Sequence, residues 1–266
     1  MGKLNKDTKI CISLSKNPGN LGTKLHNSAY KALGLNFIYK SFYTDNIKDA
    51  IKGVRALGIR GCSISMPFKS DVVKLIDKLD KSARTIKAVN TIFNKNGLLI
   101  GYNTDATASE ILIRKSKLNN KDKILMIGAG GVAKAILHSL NLIGFKNIYV
   151  ANRTFQKIKN LNRICKVKAL KMSEITETNF NVFINATSRG MLSSDKIIEM
   201  DILKKNKNRI KLIFDVTINQ RDTKLIKFAK KNKIKFISGA TLGRYQAMHQ
   251  FKIYTGKNPP VDIFLN

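Results

Sequence analysis

Acidic residues are scarce in this chain of 266 residues, which has 17 Asp and Glu against 49 Lys and Arg and a formal net charge of +32. The cations are spread along the whole chain. No stretch has the basic block with interleaved aromatic residues that is typical of nucleic-acid-binding segments. We therefore interpret the charge as a lysine-rich surface on an ordinary globular protein, whose positive field attracts small anionic ligands. Nucleic acid is not the expected partner.

Cysteine and histidine are also rare, with three of each. They are far apart, and no C-x-x-C spacing occurs, which argues against a disulfide framework or a zinc site. An odd number of isolated cysteines is typical of a protein kept in the reducing cytoplasm. No metal site is predicted. The three cysteines are Cys11, Cys62 and Cys165, and the three histidines are His26, His138 and His249.

Long apolar runs are missing as well. The first nine residues are polar and lack the apolar region of a signal peptide, and no run approaches the length that crosses a bilayer. The apolar fraction is nevertheless 43%, which is ordinary for a globular protein. The length suits one large domain or two modest ones. We expect a cytoplasmic protein with no membrane association.

A glycine-rich turn between two apolar segments is the most informative feature. Ile124–Ile127 is a short apolar run that predicts a strand, and it breaks at the sequence Gly-Ala-Gly-Gly over residues 128–131. Apolar residues then recur at helical spacing up to Gly144, and a second strand is predicted from residue 148. This strand, turn, helix and strand predict the mononucleotide-binding half of a Rossmann-type domain.

The small residues of this turn have distinct expected tasks. Gly128 permits the sharp exit from the strand, and Gly130 lets a pyrophosphate approach the backbone because it has no side chain. Ala133 lies where a third small residue lets the helix pack close to the strand, and the positive N-terminus of that helix attracts phosphate. The turn therefore predicts a bound dinucleotide.

The end of the second predicted strand indicates which dinucleotide. NAD enzymes usually place an acid there to hold the ribose 2′-hydroxyl, but this chain has Asn152, Arg153 and Thr154, with Lys157 a turn later. A planar guanidinium and an ammonium attract a 2′-phosphate, whereas an acid would repel it. We therefore predict NADP(H).

Elsewhere, predicted strands alternate with predicted helices, which indicates the α/β class. A hairpin is predicted across Asn96-Gly97, a helix over 72–79, and a helix over 105–116 capped by Thr104. A last helix is predicted from Gly239 to about residue 254. We expect a substrate domain of residues 1–103 and 238–266, and an NADP-binding Rossmann domain of residues 104–237.

Three polar residues, Lys69, Asn90 and Asp105, follow predicted strands, where open α/β sheets bind ligands. Hydride transfer to or from a secondary alcohol also needs a proton donor or acceptor at the oxygen, and a lysine held by a carboxylate can provide one. Either residue alone would be an ordinary surface cation or helix-start acid. Beside a dinucleotide motif, Lys69 and Asp105 together predict a catalytic pair.

These motifs resemble those of the shikimate dehydrogenase family over nearly the whole chain and in the same order. The resemblance implies reduction of 3-dehydroshikimate to shikimate with NADPH, in the biosynthesis of chorismate and the aromatic amino acids. It also implies a substrate domain, a Rossmann domain and a C-terminal helix that rejoins the first domain. The matching stretches are residues 25–27, 65–69, 88–91, 101–105, 128–131, 152–154 and 185–188, with Gln246 ahead of Phe251 and residues 254–256.

The resemblance also implies roles for single residues. Lys69 and Asp105 would be the catalytic pair. Ser65, Asn90 and Gln246 would contact substrate hydroxyls or the carboxylate, and Asn20, Gly22 and Ser63 occupy three further substrate-binding positions. The cofactor would be held by Gly128, Gly130, Gly131, Asn152, Arg153, Thr154, Lys157, Thr187 and Gly239.

Several substrate-recognition positions depart from the family pattern. Asn20 and Gly22 replace two serines that hold the substrate carboxylate, Ser63 replaces an asparagine, and Ile218 and Gln220 replace a tyrosine and a proline. Lost hydroxyl partners reduce discrimination between substrates. A paralogue that acts on quinate or another hydroxylated carboxylate is therefore an alternative. A non-catalytic polyanion-binding protein is a third hypothesis, and a homodimer stays open.

Overall fold

The computed structural model describes residues 4–187, 200–218 and 221–265. The chain forms two compact units, one of Met1–Thr107 with Arg244–Asn266 and one of Ala108–Gly243. The predicted α/β class is confirmed. None of the helices in the described ranges is both long enough and apolar enough to cross a bilayer.

The first unit contains a mixed six-stranded sheet in the order β2-β1-β3-β5-β6-β4. Strand β1 pairs in parallel with β2 and β3, and β5 is antiparallel to β3 and β6. The predicted hairpin is confirmed, and both turn residues have the positive φ that an Asn-Gly turn favours. The strands are β1 Lys9–Ser15, β2 Phe37–Tyr43, β3 Gly61–Ile64, β4 Lys78–Leu79, β5 Thr91–Lys95 and β6 Leu98–Tyr102.

Helices cover both faces of this sheet with apolar side chains. One core lies around Ile51, Val72 and Ile92, and an aromatic core brings the C-terminal residues Phe251 and Phe264 against the first helix. The C-terminal helix therefore packs in the first unit from Arg244 onward, as predicted. The helices that lie wholly in this unit are α1 Leu21–Ala32, α2 Ile47–Ala56, α3 Lys81–Ile86 and α10 Val261–Leu265. The helices α4 Thr104–Lys115 and α9 Gly239–Thr255 belong to it only up to Thr107 and from Arg244 onward.

The prediction of a helix over residues 72–79 is wrong. The structure has a short 3-10 turn at Asp71–Lys74 and the two-residue strand β4. Backbone and side-chain bonds from Asp77 to Leu99 draw this segment alongside β6. The short helix α3 then begins after Asp80, whose carboxylate accepts from Ala83 N. Tertiary pairing decided the conformation here, because the apolar pattern alone favours a helix.

The second unit is a six-stranded parallel sheet in the order β12-β11-β10-β7-β8-β9. In chain order within the unit this is the arrangement 3-2-1-4-5-6 of a Rossmann domain, with the reversal between β7 and β10. Each of the strands β7, β10 and β11 has four residues, and all of them are buried. The sheet is therefore covered on both faces. The strands are β7 Ile124–Ile127, β8 Ile148–Ala151, β9 Lys168–Leu170, β10 Val182–Asn185, β11 Leu212–Asp215 and β12 Lys235–Ser238. The helices are α5 Gly131–Ile143, α6 Gln156–Lys159, α7 Met200–Asn206 and α8 Lys224–Lys231.

Candidate active site

A buried ion pair joins the two predicted catalytic residues in the first unit. Lys69 Nζ donates to Asp105 Oδ2 at 2.6 Å, and the two side chains are only 13% and 3% exposed. Asp105 is the second residue of α4, where the helix dipole favours a negative charge. The cap of this helix is Asn103, whose Oδ1 accepts from Ala106 N at 3.1 Å, so the prediction of Thr104 as the cap is wrong.

Asn90 is bonded to the same end of α4. Its Oδ1 accepts from Thr104 N at 2.8 Å, from Thr104 Oγ1 at 3.1 Å and from Thr91 Oγ1 at 2.9 Å. The preceding backbone N–H, of Val89, donates to Lys69 O at 2.7 Å. Asn90 is fully buried, yet its Nδ2 has no partner among the described residues. A buried amide donor without a partner is costly, which points to a ligand acceptor at this place.

Ser63 is the cross-strand neighbour of Thr91. Its hydroxyl accepts a hydrogen bond from Gln250 Nε2 at 3.0 Å, and the same nitrogen donates to Thr91 Oγ1 at 3.1 Å. Close by is the hydroxyl of Tyr39, whose pKa is raised by burial and lowered to a smaller extent by hydrogen bonding with Ser13 and then with Ser63. Hydrogen bonds through Gln250 and Thr91 therefore link Ser63 to Asn90.

The other predicted substrate residues lie on α1, just beyond β3 and on α9. A Cβ at Gly22 would lie 3.3 Å from Tyr39 Oη, so the first turn of α1 packs directly on that hydroxyl. Asn20 is exposed at the start of α1 and makes no side-chain cap, and Ser65 is exposed just beyond β3. Gln246 is half-buried on α9, one turn before the buried Gln250. Their contacts with substrate stay predictions.

The glycine turn of the second unit lies at the strand-order reversal. Gly128 has a φ of +118°, and a Cβ there would approach Ala186 O to 2.7 Å, so only glycine fits without displacing the backbone after β10. A Cβ at Gly130 would meet nothing within 4 Å. The backbone is therefore open at Gly130, where α5 begins at Gly131. This geometry fits a phosphate group at the helix N-terminus.

Two cations follow strand β8. Asn152 Nδ2 donates to Thr154 O at 2.8 Å, and Lys157 N donates to the same oxygen at 3.1 Å, which fixes the turn after the strand. The side chains of Arg153 and Lys157 are exposed, and neither forms an ion pair within the described ranges. They are suited to receive a phosphate group.

Thr187 and Gly239 belong to a polar cluster at the carboxyl ends of β10 and β11. Thr187 Oγ1 donates to Asn185 Oδ1 at 2.7 Å, and Asn185 Nδ2 donates to Asp215 Oδ1 at 2.9 Å. A Cβ at Gly239 would lie 2.4 Å from Thr217 O, so close packing of backbone requires this glycine. Contact of Thr187 and Gly239 with a cofactor stays a prediction. Ser188, in one of the stretches that match the family, and Gln220, which departs from the family pattern, lie outside the described residues.

Comparison with known proteins covers both units. The family profile described as "Shikimate dehydrogenase substrate binding domain" matches residues 14–92, and the profile "Shikimate / quinate 5-dehydrogenase" matches residues 109–228. A shikimate dehydrogenase-like protein of Haemophilus influenzae is 40% identical over 263 residues, which are 98% of this chain and 95% of that protein. The chain belongs to the shikimate dehydrogenase family.

Other members of the shikimate dehydrogenase family are similar over comparable lengths. A shikimate dehydrogenase (NADP(+)) of Pyrococcus abyssi is 36% identical over 91% of this chain and 90% of its own. The crystal structure of a shikimate 5-dehydrogenase from Listeria monocytogenes, in complex with shikimate and NAD, superimposes with a TM-score of 0.87 at 26% identity, covering 99% of this chain and 97% of that one. Family membership confirms the prediction of a dehydrogenase.

Sequence patterns missed Gln250 and Tyr39 as parts of this site. The expected glutamine on α9 was Gln246, but Gln250 makes the buried contacts with Ser63 and Thr91. The spacing of four residues places both glutamines on one helix face, which was an available signal. Tyr39 lies in the middle of an aromatic-rich strand and reads as an ordinary core residue, so its hydroxyl contact with Ser63 was not foreseeable.

His26 lies in the aromatic core of the first unit. Its ring is fully buried and stacks on Tyr39 at a centroid distance of 4.5 Å. Burial lowers the pKa of His26 to about 3, against a small opposing effect of the neighbouring Gln250 side chain. Both ring nitrogens lack a well-aligned partner within the described ranges. His26 is therefore neutral and is no source of protons for the site.

Proposed function

We propose that this chain catalyses the NADPH-dependent reduction of 3-dehydroshikimate to shikimate. The observation that carries the proposal is the buried pair of Lys69 and Asp105 beside the unpartnered amide of Asn90. A buried ammonium held by one carboxylate is a positioned proton donor, and the free amide is a donor for a polar ligand. Family membership supplies the substrate class, and the paired charges favour catalysis over a polyanion-binding role.

The residues of the first unit would handle the proton. Lys69 Nζ donates a proton to the substrate oxygen as negative charge develops there, so that the ring ketone becomes a secondary alcohol. Asp105 holds the ammonium in position and keeps the charge of the site balanced. The neutral lysine then regains its proton from solvent. Asn90 Nδ2 would orient a substrate oxygen, and Ser65 and Gln246 are proposed to contact the remaining polar groups.

NADP(H) is the proposed cofactor, and it supplies the hydride. The open backbone at Gly130 and the start of α5 at Gly131 would hold its pyrophosphate. Arg153 and Lys157, exposed without ion-pair partners in the described ranges, would hold the 2′-phosphate. We expect Arg153→Ala to raise the KM for NADPH by about tenfold, because a charge-assisted hydrogen bond contributes about 1.5–3 kcal/mol. The KM for NADH, which lacks this phosphate, should stay unchanged, and an equal loss for both cofactors would refute the assignment.

Quinate or another hydroxylated carboxylate is the alternative substrate. Gly22 presents no side chain, and the Ser63 hydroxyl is already engaged by Gln250 and Tyr39. Two positions that bind substrate in the family are therefore altered. This leaves the oxidoreductase chemistry intact but changes the polar groups that discriminate between related acids.

One assay tests both substrates. The purified protein is given NADPH or NADH with 3-dehydroshikimate or 3-dehydroquinate, and cofactor absorbance is followed. The proposal expects the highest kcat/KM with NADPH and 3-dehydroshikimate, and no turnover by Lys69→Ala with normal NADPH binding. A clear preference for 3-dehydroquinate would establish the alternative, and full activity of Lys69→Ala would refute the role of the pair. Three further proposals stay open to test: a cytoplasmic location, a homodimer, and the division of roles between two domains. The proposed substrate domain is residues 1–103 with 238–266, and the proposed NADP-binding domain is residues 104–237.

A further inference from the structure

Gln250 is the only described side chain that bonds both Ser63 and Thr91. It lies on α9, whereas Ser63 and Thr91 are paired across β3 and β5. The residue is only 4% exposed, although glutamine is usually at the surface. A buried amide at the meeting point of a helix and two strands needs a polar task, because burying it without partners is costly.

The direction of the Gln250 amide is fixed by its surroundings. Nε2 lies 3.4 Å from the backbone carbonyl of Asn90, which can only accept a hydrogen bond, so the NH₂ group must face it. The two hydrogens of Nε2 are shared among this carbonyl, Ser63 Oγ at 3.0 Å and Thr91 Oγ1 at 3.1 Å. Gln250 therefore has no donor left for a substrate, and its action on a ligand must pass through its neighbours.

The orientation of Asn90 depends on these neighbours. Thr91 Oγ1, which accepts from Gln250, lies 2.9 Å from Asn90 Oδ1 and 3.0 Å from Thr104 Oγ1, so its proton has two acceptors in reach. Thr104 N, which can only donate, bonds the same Asn90 oxygen at 2.8 Å. This bond fixes Oδ1 as the acceptor, with the two hydroxyls packed beside it, and leaves Nδ2 as the end without a partner among the described residues.

We propose that Gln250 is a positioning residue of the substrate site, which holds the Ser63 hydroxyl inside the protein and, through Thr91, aims Asn90 Nδ2 at the substrate. The inference rests on the proposed function and deepens it. It makes Ser63 a supporting residue and Asn90 the polar contact. Discrimination among hydroxylated carboxylates then depends on a residue of α9 that does not touch the substrate.

The test compares Gln250→Met, which keeps the length and removes both donors, with Lys252→Met, which replaces an exposed polar residue on the same helix. We expect Gln250→Met to raise the KM for the carbocyclic substrate about tenfold, the effect of about one hydrogen bond. The KM for NADPH should change by less than about twofold, and Lys252→Met should match the wild type. The double variant Gln250→Met/Ser63→Ala should be no worse than Gln250→Met, because the two residues act in one chain.

An unchanged substrate KM in Gln250→Met would overturn the inference, as would an equal loss for substrate and NADPH accompanied by lowered stability. If Gln250→Met does not fold, Gln250→Leu removes both donors with another uncharged side chain. If the wild type turns over none of the tested substrates, the proposed function fails separately. Crystal structures of wild type and variant then decide the inference: displaced Ser63 and Asn90 side chains support it, and unmoved ones overturn it.

Discussion

Substitution of Lys69 and Asp105, singly and together, can separate the effect of their ion pair on stability from its effect on catalysis. Both side chains are nearly excluded from water, at 13% and 3% exposure, so removal of one partner leaves an uncompensated buried charge. Such a loss costs about 3–5 kcal/mol in the free energy of unfolding. We therefore expect Lys69→Met and Asp105→Leu, each alone, to be destabilised by an amount in this range.

The double variant Lys69→Met/Asp105→Leu should behave differently. Replacing a buried pair by apolar side chains of similar size is often neutral or stabilising, so the double variant should recover most of the lost stability. Its activity should not recover, because general acid–base catalysis contributes about 10²–10⁴-fold and neither new side chain transfers a proton.

Urea denaturation measures the stability of the four proteins, and NADPH absorbance with 3-dehydroshikimate measures kcat. The expected pattern is two unstable inactive single variants and one stable inactive double variant. If the single variants were as stable as the double variant, the pair would not be the buried ion pair described here. If the double variant kept substantial turnover, the proton donor would have to be another group.

Two further predictions follow from buried and closely packed residues. Native His26 stays neutral down to about pH 3, whereas the unfolded chain protonates this histidine below about pH 6.5. Between these two pH values the unfolded state therefore binds more protons than the native state. The free energy of unfolding then falls by about 1.4 kcal/mol for each pH unit by which the pH is lowered. His26→Phe should remove this part of the pH dependence, measured by urea denaturation at about pH 7 and 5, and an unchanged slope would contradict the assignment. Gly128→Ala should destabilise the protein by about 1–3 kcal/mol, because its φ is +118° and the new Cβ would meet Ala186 O. Gly130→Ala is the matched control: it should leave the denaturation midpoint unchanged and weaken NADPH binding in a fluorescence titration, and equal stability loss in both would refute the distinction.

Local sequence signals predicted the elements whose conformation depends on near neighbours. The strand, glycine turn and helix from Ile124 to Ile143 follow the sequence prediction closely, as does the hairpin across Asn96-Gly97. Glycine and asparagine adopt positive φ readily, and apolar periodicity identifies the buried helix face. These preferences act over a few residues, so they are visible without the fold.

Long-range pairing decided the segments that the pattern misassigned. The apolar residues between 72 and 79 favour a helix, yet the bonds between Asp77 and Leu99 make the segment follow β6. Thr104 has the residue type of a cap, but the carboxamide of Asn103 takes that position and Thr104 instead bonds Asn90. The bonds of Asp77 and Thr104 have partners 22 and 14 positions away, which a local pattern does not show.

The sequence by itself determined the chemical groups: a dinucleotide turn at Gly128, cations after β8, and a lysine and an aspartate far apart in the chain. Together they indicate a dehydrogenase, because a dinucleotide site and a proton-transfer pair are both needed for hydride transfer to a carbonyl, although the lysine or the aspartate alone would indicate nothing. Only the tertiary structure decided how these groups are held. The 2.6 Å contact of Lys69 with Asp105 and the bonds of Gln250 to Ser63 and Thr91 join residues 36 to 187 positions apart. Hydrogen bonds require fixed distances and angles, and folding alone brings such distant groups within them.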